Sequence, residues 1–290
     1  MVHEPTGVVH AVRHAVSVAG LYGAAASRIL PRGGRSLGAR LAPAEERLVF
    51  VVGSPRSGTT FLGETLGRIP GFVDLSEVTP LKAVLPELAS LSEQEAAVRL
   101  RRVLETVRRL ALVRGLRGIE QTPETTFVLG AALRAYPQAR AVHILRDGRD
   151  VVCSLLERGW LRAGRRGRDD AHLPYGPQRR FWVEPERAEE FERASDATRA
   201  AWAWSRYVRA ARAAAGERTL EIRYEEVAAD PEAVAARVAE HIDAPVAPLA
   251  SGLAQAHARS IGRFRRDLTE DQLADVEREA GPLLRELGYE

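Results

Sequence analysis

Five apolar residues, Leu48-Val-Phe-Val-Val52, run without interruption into Gly53, and a helical pattern with Leu62, Thr65, Leu66 and Ile69 on one face follows over Thr59 to Ile69. A strand with one wet face would alternate, so an unbroken β-branched run predicts a strand buried on both faces of a parallel sheet. Between strand and helix lies Gly53-Ser-Pro-Arg-Ser-Gly-Thr-Thr60. The interval from Gly53 to Gly58 is that of a phosphate loop, in which backbone N–H groups at a helix N-terminus converge on an anion. The plain alternative is a glycine-rich turn that does nothing but cap the helix.

The loop is not that of a triphosphate enzyme. A P-loop nucleotide kinase or ATPase sets a lysine after the second glycine, with Mg²⁺ held by a hydroxyl and a carboxylate. Here Thr59 stands at the lysine position, the charge comes from Arg56, and the hydroxyls come from Ser57, Thr59 and Thr60. The set suits an anion that needs less neutralisation, handled without metal. Lysine is scarce throughout: Lys82 is the only one, and the other 41 of the 42 cationic residues are arginines. Codon bias accounts for most of that imbalance, although a planar guanidinium also grips phosphate or sulfate bidentately.

Two further strands are predicted at Ala141–Leu145 and Thr219–Arg223, with helices beginning at Asp150 and near Pro231, and a last helix over Glu270 to Leu287. This recurrence of strand, loop and helix predicts an α/β fold with a central parallel sheet flanked by helices. The chain is read as an N-terminal helical extension over 1–46 and a single domain over 47–290. Residues 158–194, crowded with Arg, Gly, Pro, Trp and Glu, break the rhythm and are read as a lid carrying Trp160, Phe181 and Trp182.

A net charge of +3, with acids and arginines interspersed, argues against nucleic acid as a partner. The lone Cys153 fits a reducing, cytoplasmic setting, and Glu4 occupies what would be the basic region of a signal peptide. The uncharged stretch from Ala15 to Ser27 is shorter than the roughly 20 apolar residues of a spanning helix, which leaves it suited only to a peripheral membrane contact. No His/Cys cluster suggests a metal.

Val51-Val-Gly-Ser-Pro-Arg-Ser-Gly-Thr-Thr-Phe-Leu62 resembles the 5′-phosphosulfate loop of sulfotransferases that use 3′-phosphoadenosine 5′-phosphosulfate (PAPS), above all the bacterial and tyrosylprotein-type branch whose loop cation is arginine. The resemblance implies a three-layer sandwich like that of nucleotide kinases. Leu145-Arg-Asp-Gly-Arg-Asp-Val-Val-Cys-Ser154 is similar to the family's 3′-phosphate motif, which implies Arg146 and Ser154 as ligands. There Asp150 is read as the cap of the following helix, and Asp147 and Arg149 as turn and ion-pair residues.

Sulfuryl transfer needs a base for the acceptor hydroxyl. Glu77 matches the glutamate that serves the tyrosylprotein-type branch; His143, His172 and His257 are weaker rivals, His143 being read as a core residue. Ile119-Glu-Gln-Thr-Pro123 resembles a family segment whose lysine supports the leaving phosphate oxygen, but Gln121 stands in its place. An amide donates a hydrogen bond without charge, so that support is reduced or is re-routed through Lys82. Arg223-Tyr-Glu-Glu-Val and Ser260-Ile-Gly-Arg-Phe resemble the adenosine side and the C-terminal basic loop, implying roles for Tyr224 and Arg263, while Arg265 and Arg266 are read as solvated. The expected reaction moves a sulfuryl group from PAPS to a hydroxyl of a small-molecule acceptor such as a carbohydrate, lipid or natural product. A catalytically silent phosphoadenosine binder is the other reading besides a nucleotide kinase.

Overall fold

The computed structural model describes residues 19–33, 38, 42–175 and 181–289. Five strands, β1 (Val49–Val52), β2 (Phe72–Asp74), β3 (Arg117–Glu120), β4 (Arg140–Leu145) and β5 (Thr219–Arg223), form one parallel sheet in the order β2-β3-β1-β4-β5. The main helices are α1 (19–29), α2 (Thr59–Gly67), α3 (Thr79–Leu88), α4 (Glu93–Leu110), α5 (Leu129–Ala135), α6 (Gly148–Arg158), α7 (Asp196–Ala213), α8 (Tyr224–Ala229), α9 (Pro231–Ile242), α10 (Val246–Leu253) and α11 (Glu270–Glu286).

The unbroken apolar run of β1 serves two faces. Val49 and Val51 pack with Leu62 and Leu66 of α2 and with Val234 and Leu249 of α9 and α10. Leu48, Phe50 and Val52 turn the other way, toward Leu100 and Leu104 of α4 and Leu129 of α5. Further along that side, Leu145 meets α6, α7 and α11 through Val152, Trp204 and Leu284. Helices on both sides of the sheet make the three layers that the sequence predicts.

Several boundaries move. β1, predicted from Leu48, begins at Val49, and α2 ends at Gly67 rather than Ile69. β2 and β3 were not legible: β2 has three residues, and β3, Arg117-Gly-Ile-Glu, carries charge at both ends. Asp147, not Asp150, caps α6, accepting a hydrogen bond from the Arg149 N–H at 2.9 Å. Asp150 lies in the first turn, buried, and accepts from the Gly262 and Phe264 N–H groups at 2.7 and 3.1 Å. Arg149 pairs with Asp147 as predicted, at 2.8 Å.

The expected lid is partly built from helix, with a 3₁₀ turn at Pro185–Arg187 and a short helix at Ala188–Arg193; residues 176–180 lie outside the described part. The expected extension over 1–46 also falls partly outside. Its described helix α1 buries Ala25, Ala26 and Ile29 in the core, and Arg32 reaches Asp74 at the end of β2, 3.3 Å away. Among the described residues no helix is long and apolar enough to cross a membrane.

The turn after β1 depends on one close approach. Gly53 has φ of 147°, and a Cβ there would stand 2.5 Å from the Ile144 carbonyl oxygen of β4. Gly53→Ala is expected to lower the unfolding free energy by about 2–4 kcal/mol in urea titration, from backbone strain and a backbone clash. A loss below about 0.5 kcal/mol would mean that the β1–β4 contact can give way.

Candidate active site

The loop leaving β1, the central strand, enters α2 through Gly58, whose φ of 105° keeps it in the left-handed region. A side chain there would meet the Tyr224 ring, 2.8 Å from its Cβ. α2 has no side-chain cap and no acidic residue in its first turn. Its first N–H groups, at Thr59 and Thr60, therefore lack the internal partners and the carboxylate that would compete with an anion. Beside them the Ser57 hydroxyl is buried with no hydrogen-bond partner among the described residues. A buried hydroxyl left this way is costly unless a polar group meets it, and a phosphosulfate oxygen is such a group.

Arg56 is the hinge of the site. Its φ of 73° turns it out of the loop, and its Nε donates to Ser154 Oγ of α6 at 2.9 Å. From the end of β4, Arg146 donates through Nη1 to the Arg56 carbonyl oxygen at 3.3 Å. Arg56, Arg146 and Ser154 are therefore brought together. Burial holds the Arg56 guanidinium below its ordinary pKa, with repulsion from Arg158 and Arg146 adding to the effect. An anion placed among these cations would reverse both influences.

Tyr224, at the start of α8 directly after β5, lies with its ring 4.7 Å from the Arg146 guanidinium, and its hydroxyl accepts from the His257 N–H at 3.1 Å. Next to it a cavity of about 570 Å³ is lined by His257, Arg259, Ser260, Arg263 and Arg266. Arg263 is turned to carboxylates: its Nε donates to Asp267 at 2.7 Å and its Nη1 to Glu157 at 3.2 Å. These partners, Glu157 first, hold it above its ordinary pKa.

On the other side of Arg56 lies a second cavity, of about 240 Å³, lined by Pro55 of the loop, Glu77, Lys82, Glu124, Asp169, Asp170 and the rings of Trp160, Tyr175 and Trp182. Glu77 receives a hydrogen bond from Lys82 Nζ at 2.8 Å. Trp160 and Trp182 line this cavity, whereas Phe181 stacks on Phe127 with centroids 4.3 Å apart. None of the three candidate histidines lines it: His143 is buried in β4 against Glu221, His172 is exposed and His257 belongs to the other cavity. Glu124, Asp169 and Asp170 were not singled out in the sequence, where nothing distinguishes them from the other acidic residues.

Gln121 does not face this cavity. It is buried, and its Nε2 donates to Asp74 Oδ1 at 2.9 Å. Its neighbour Glu120 is fully buried, accepting from the Thr122 N–H at 2.8 Å and the Thr125 hydroxyl at 2.9 Å. Among the described residues no group of three or more His, Cys, Asp or Glu side chains is disposed to hold a metal ion.

The sulfotransferase family model matches residues 103–248, half of the chain, including β4, Arg146, Ser154 and Tyr224. The chain belongs to the sulfotransferase family. It is thus an enzyme of the kind that uses PAPS. Solved sulfotransferases share its fold. The sulfotransferase domain of the curacin biosynthetic pathway is 13% identical, with a TM-score of 0.54 over 86% of this chain and 99% of that one. The sulfotransferase domain of the Synechococcus PCC 7002 olefin synthase is 15% identical, with a TM-score of 0.50 over 81% and 96%. STF9 of Mycobacterium avium is 14% identical, with a TM-score of 0.50 over 86% and 78%. No curated protein matches this sulfotransferase significantly.

Burial raises the Glu120 carboxyl to about 7 from an ordinary 4.5. The folded sulfotransferase then binds more protons than the unfolded chain between those values, so this group's contribution to stability falls as pH rises through that window. Unfolding free energies measured from pH 4.5 to 7 should show a downward slope that Glu120→Gln flattens. Equal slopes in both proteins would mean that Glu120 is ionised throughout.

Proposed function

We propose that the chain transfers the sulfuryl group of PAPS to a hydroxyl of a small-molecule acceptor bound in the cavity beside Glu77, the 5′-phosphosulfate lying on the loop from Ser57 to Thr60 and the 3′-phosphate between Arg146 and Ser154. The observation that carries this reading is the junction of Arg56, Ser154 and Arg146, which joins two cationic sites from neighbouring strands at the distance of one hydrogen bond. A donor with anionic groups on both the 3′ and the 5′ oxygen of one ribose is the ligand that calls for two such sites side by side. The partnerless Ser57 hydroxyl and the open N-terminus of α2 support placing the transferred end on the loop.

In this mechanism Glu77 removes the proton of the acceptor hydroxyl as its oxygen attacks sulfur in line with the departing phosphate. The new O–S bond forms as the S–O bond to phosphate breaks. The products are a sulfate ester, adenosine 3′,5′-bisphosphate and a proton held on Glu77. Arg56 and the loop N–H groups take up the negative charge that grows on the phosphate oxygen. Arg56 is suited to this because it sits between the loop and the 3′-phosphate pair. Tyr224, stacked near Arg146, sits where it can face the adenosine. Arg263 has a weaker claim, since a ligand would have to draw it from Glu157 and Asp267. Trp160, Tyr175 and Trp182 give the acceptor cavity an apolar wall, which suits an acceptor with an apolar part.

Calorimetry tests the donor assignment. Adenosine 3′,5′-bisphosphate should bind without divalent metal, and Arg146→Ala should weaken it by about 100-fold through loss of a charge-assisted contact. A preference for Mg-ATP would overturn the reading. Glu77→Gln should lower turnover by at least about 100-fold with the bisphosphate still bound, and turnover within about twofold of the parent would remove Glu77 from the role of base.

A further inference from the structure

The sole lysine of the chain is not on the surface. Lys82, on α3, has a side chain only 9% exposed, and its ammonium group meets three carboxylates: Glu77 at 2.8 Å, Asp170 at 3.3 Å and Asp169 at 3.7 Å. Glu77 lies just before α3, whereas Asp169 and Asp170 lie in the segment that follows α6 and lines the same cavity. An ammonium group has three hydrogens, and here they face three carboxylates from two stretches of chain. Two of them are hydrogen-bonded, to Glu77 and Asp170, which turns the ammonium group to the acceptor side.

The turn at 168–174 is braced within itself. Asp169 Oδ1 accepts from the Ala171 and Leu173 N–H groups at 3.0 and 2.8 Å, and the Asp169 N–H donates to the Leu173 carbonyl at 2.9 Å. Arg168 and Pro174 form an isolated bridge across its base. A turn built this way moves as a unit, and Lys82 grips it at Asp169 and Asp170. Burial acts to lower the pKa of Lys82, but Glu124, Glu77 and Asp170 outweigh it and hold the group above its ordinary value.

We propose that Lys82 is a positioning residue that fastens the 168–174 turn to the Glu77 carboxylate, so that the acceptor cavity is covered and its base is aimed by the same ammonium group. This rests on reading Glu77 as the base, and it assigns Lys82 to the acceptor side rather than to the leaving group. The turn and the base are thereby coupled: displacing either one loosens the hold on the other. Arginine, with its wider planar fork, spans the same carboxylates, while methionine keeps the bulk and loses the charge.

Because the chain has a single lysine, growth on ¹³C,¹⁵N-lysine labels position 82 alone. In the full-length protein the side-chain resonances of Lys82 should shift in Asp170→Asn and again in Glu77→Gln. In Lys82→Met, amides of residues 168–174 should exchange with deuterium about tenfold faster than in the parent while those of β1 and β4 stay protected; Lys82→Arg should return them to within about threefold. Resonances that ignore both carboxylate substitutions, or exchange at 168–174 that is unchanged in Lys82→Met, would overturn the proposal. Should Lys82→Met fail to fold, the labelled-lysine measurement in Asp170→Asn still decides. Failure of the base assignment is separable: retained turnover in Glu77→Gln removes Glu77 as base, whereas lost turnover with an unmoved lysine resonance removes only the role given to Lys82.

Discussion

The hydrogen bond from Arg146 to the Arg56 carbonyl oxygen ties the C-terminal end of β4 to the loop that leaves β1. Both strands run parallel and pair from Val49 with Arg140 to Val52 with His143, so their following loops emerge side by side at one edge of the sheet. A parallel order with β1 between β3 and β4 sends the chain to opposite sides from neighbouring strands, which opens a crevice at their carboxyl ends. The two cationic sites occupy that crevice because the sheet brings their loops there, and Ser154 reaches it from about the second turn of α6.

Charge then acts against the packing. Arg56 and Arg146 are held close, half-buried or buried, and Arg158 adds to the repulsion felt by Arg56. The fold absorbs this through hydrogen bonds to neutral acceptors: the Ser154 hydroxyl for Arg56, and the Arg56 and Ser260 carbonyl oxygens for Arg146. A carboxylate in those places would satisfy the cations more strongly and would also exclude an anionic ligand. Elsewhere the same residue type is treated otherwise. Arg108, fully buried, has Glu105 beside it, and Arg263 is flanked by Glu157 and Asp267. Among the described residues Arg56 and Arg146 hydrogen-bond to neutral oxygens and not to a carboxylate, which separates them from these structural arginines.

Much of the frame was legible because burial on both faces of a sheet writes itself as an unbroken apolar run. β1 was read from such a run, β4 and β5 from strand-like stretches alternating with helical patterns, β5 to the residue, and the anion loop followed from the glycine spacing. β2 and β3 escaped because their polar ends find partners only in three dimensions. Arg117 is satisfied by the Arg47 and Asp243 carbonyl oxygens, and Asp74 by Gln121, Arg32 and the Ser76 N–H. The cap at Asp147 was missed for a local reason: two aspartates three positions apart can each start a helix, and the choice depends on Gly262 and Phe264 claiming the second. In the candidate site, Arg56, Arg146, Ser154 and Glu77 sit on short motifs, while Asp169 and Asp170 belong to a segment with no pattern, and only folding reveals what they touch.

Helix α1 and the 3₁₀ turn at Leu30–Gly33 that follows it pack beside β2, the outermost strand on that side. An outer strand offers unpaired backbone groups to any second sheet that approaches it. The N-terminal segment shields this vulnerable flank while Arg28 touches Thr79 at the start of the helix that carries Lys82. One stretch of chain thus packs against the outer strand and also touches the helix that carries Lys82. A protease cut at the end of that stretch would loosen the outer strand and the start of that helix together.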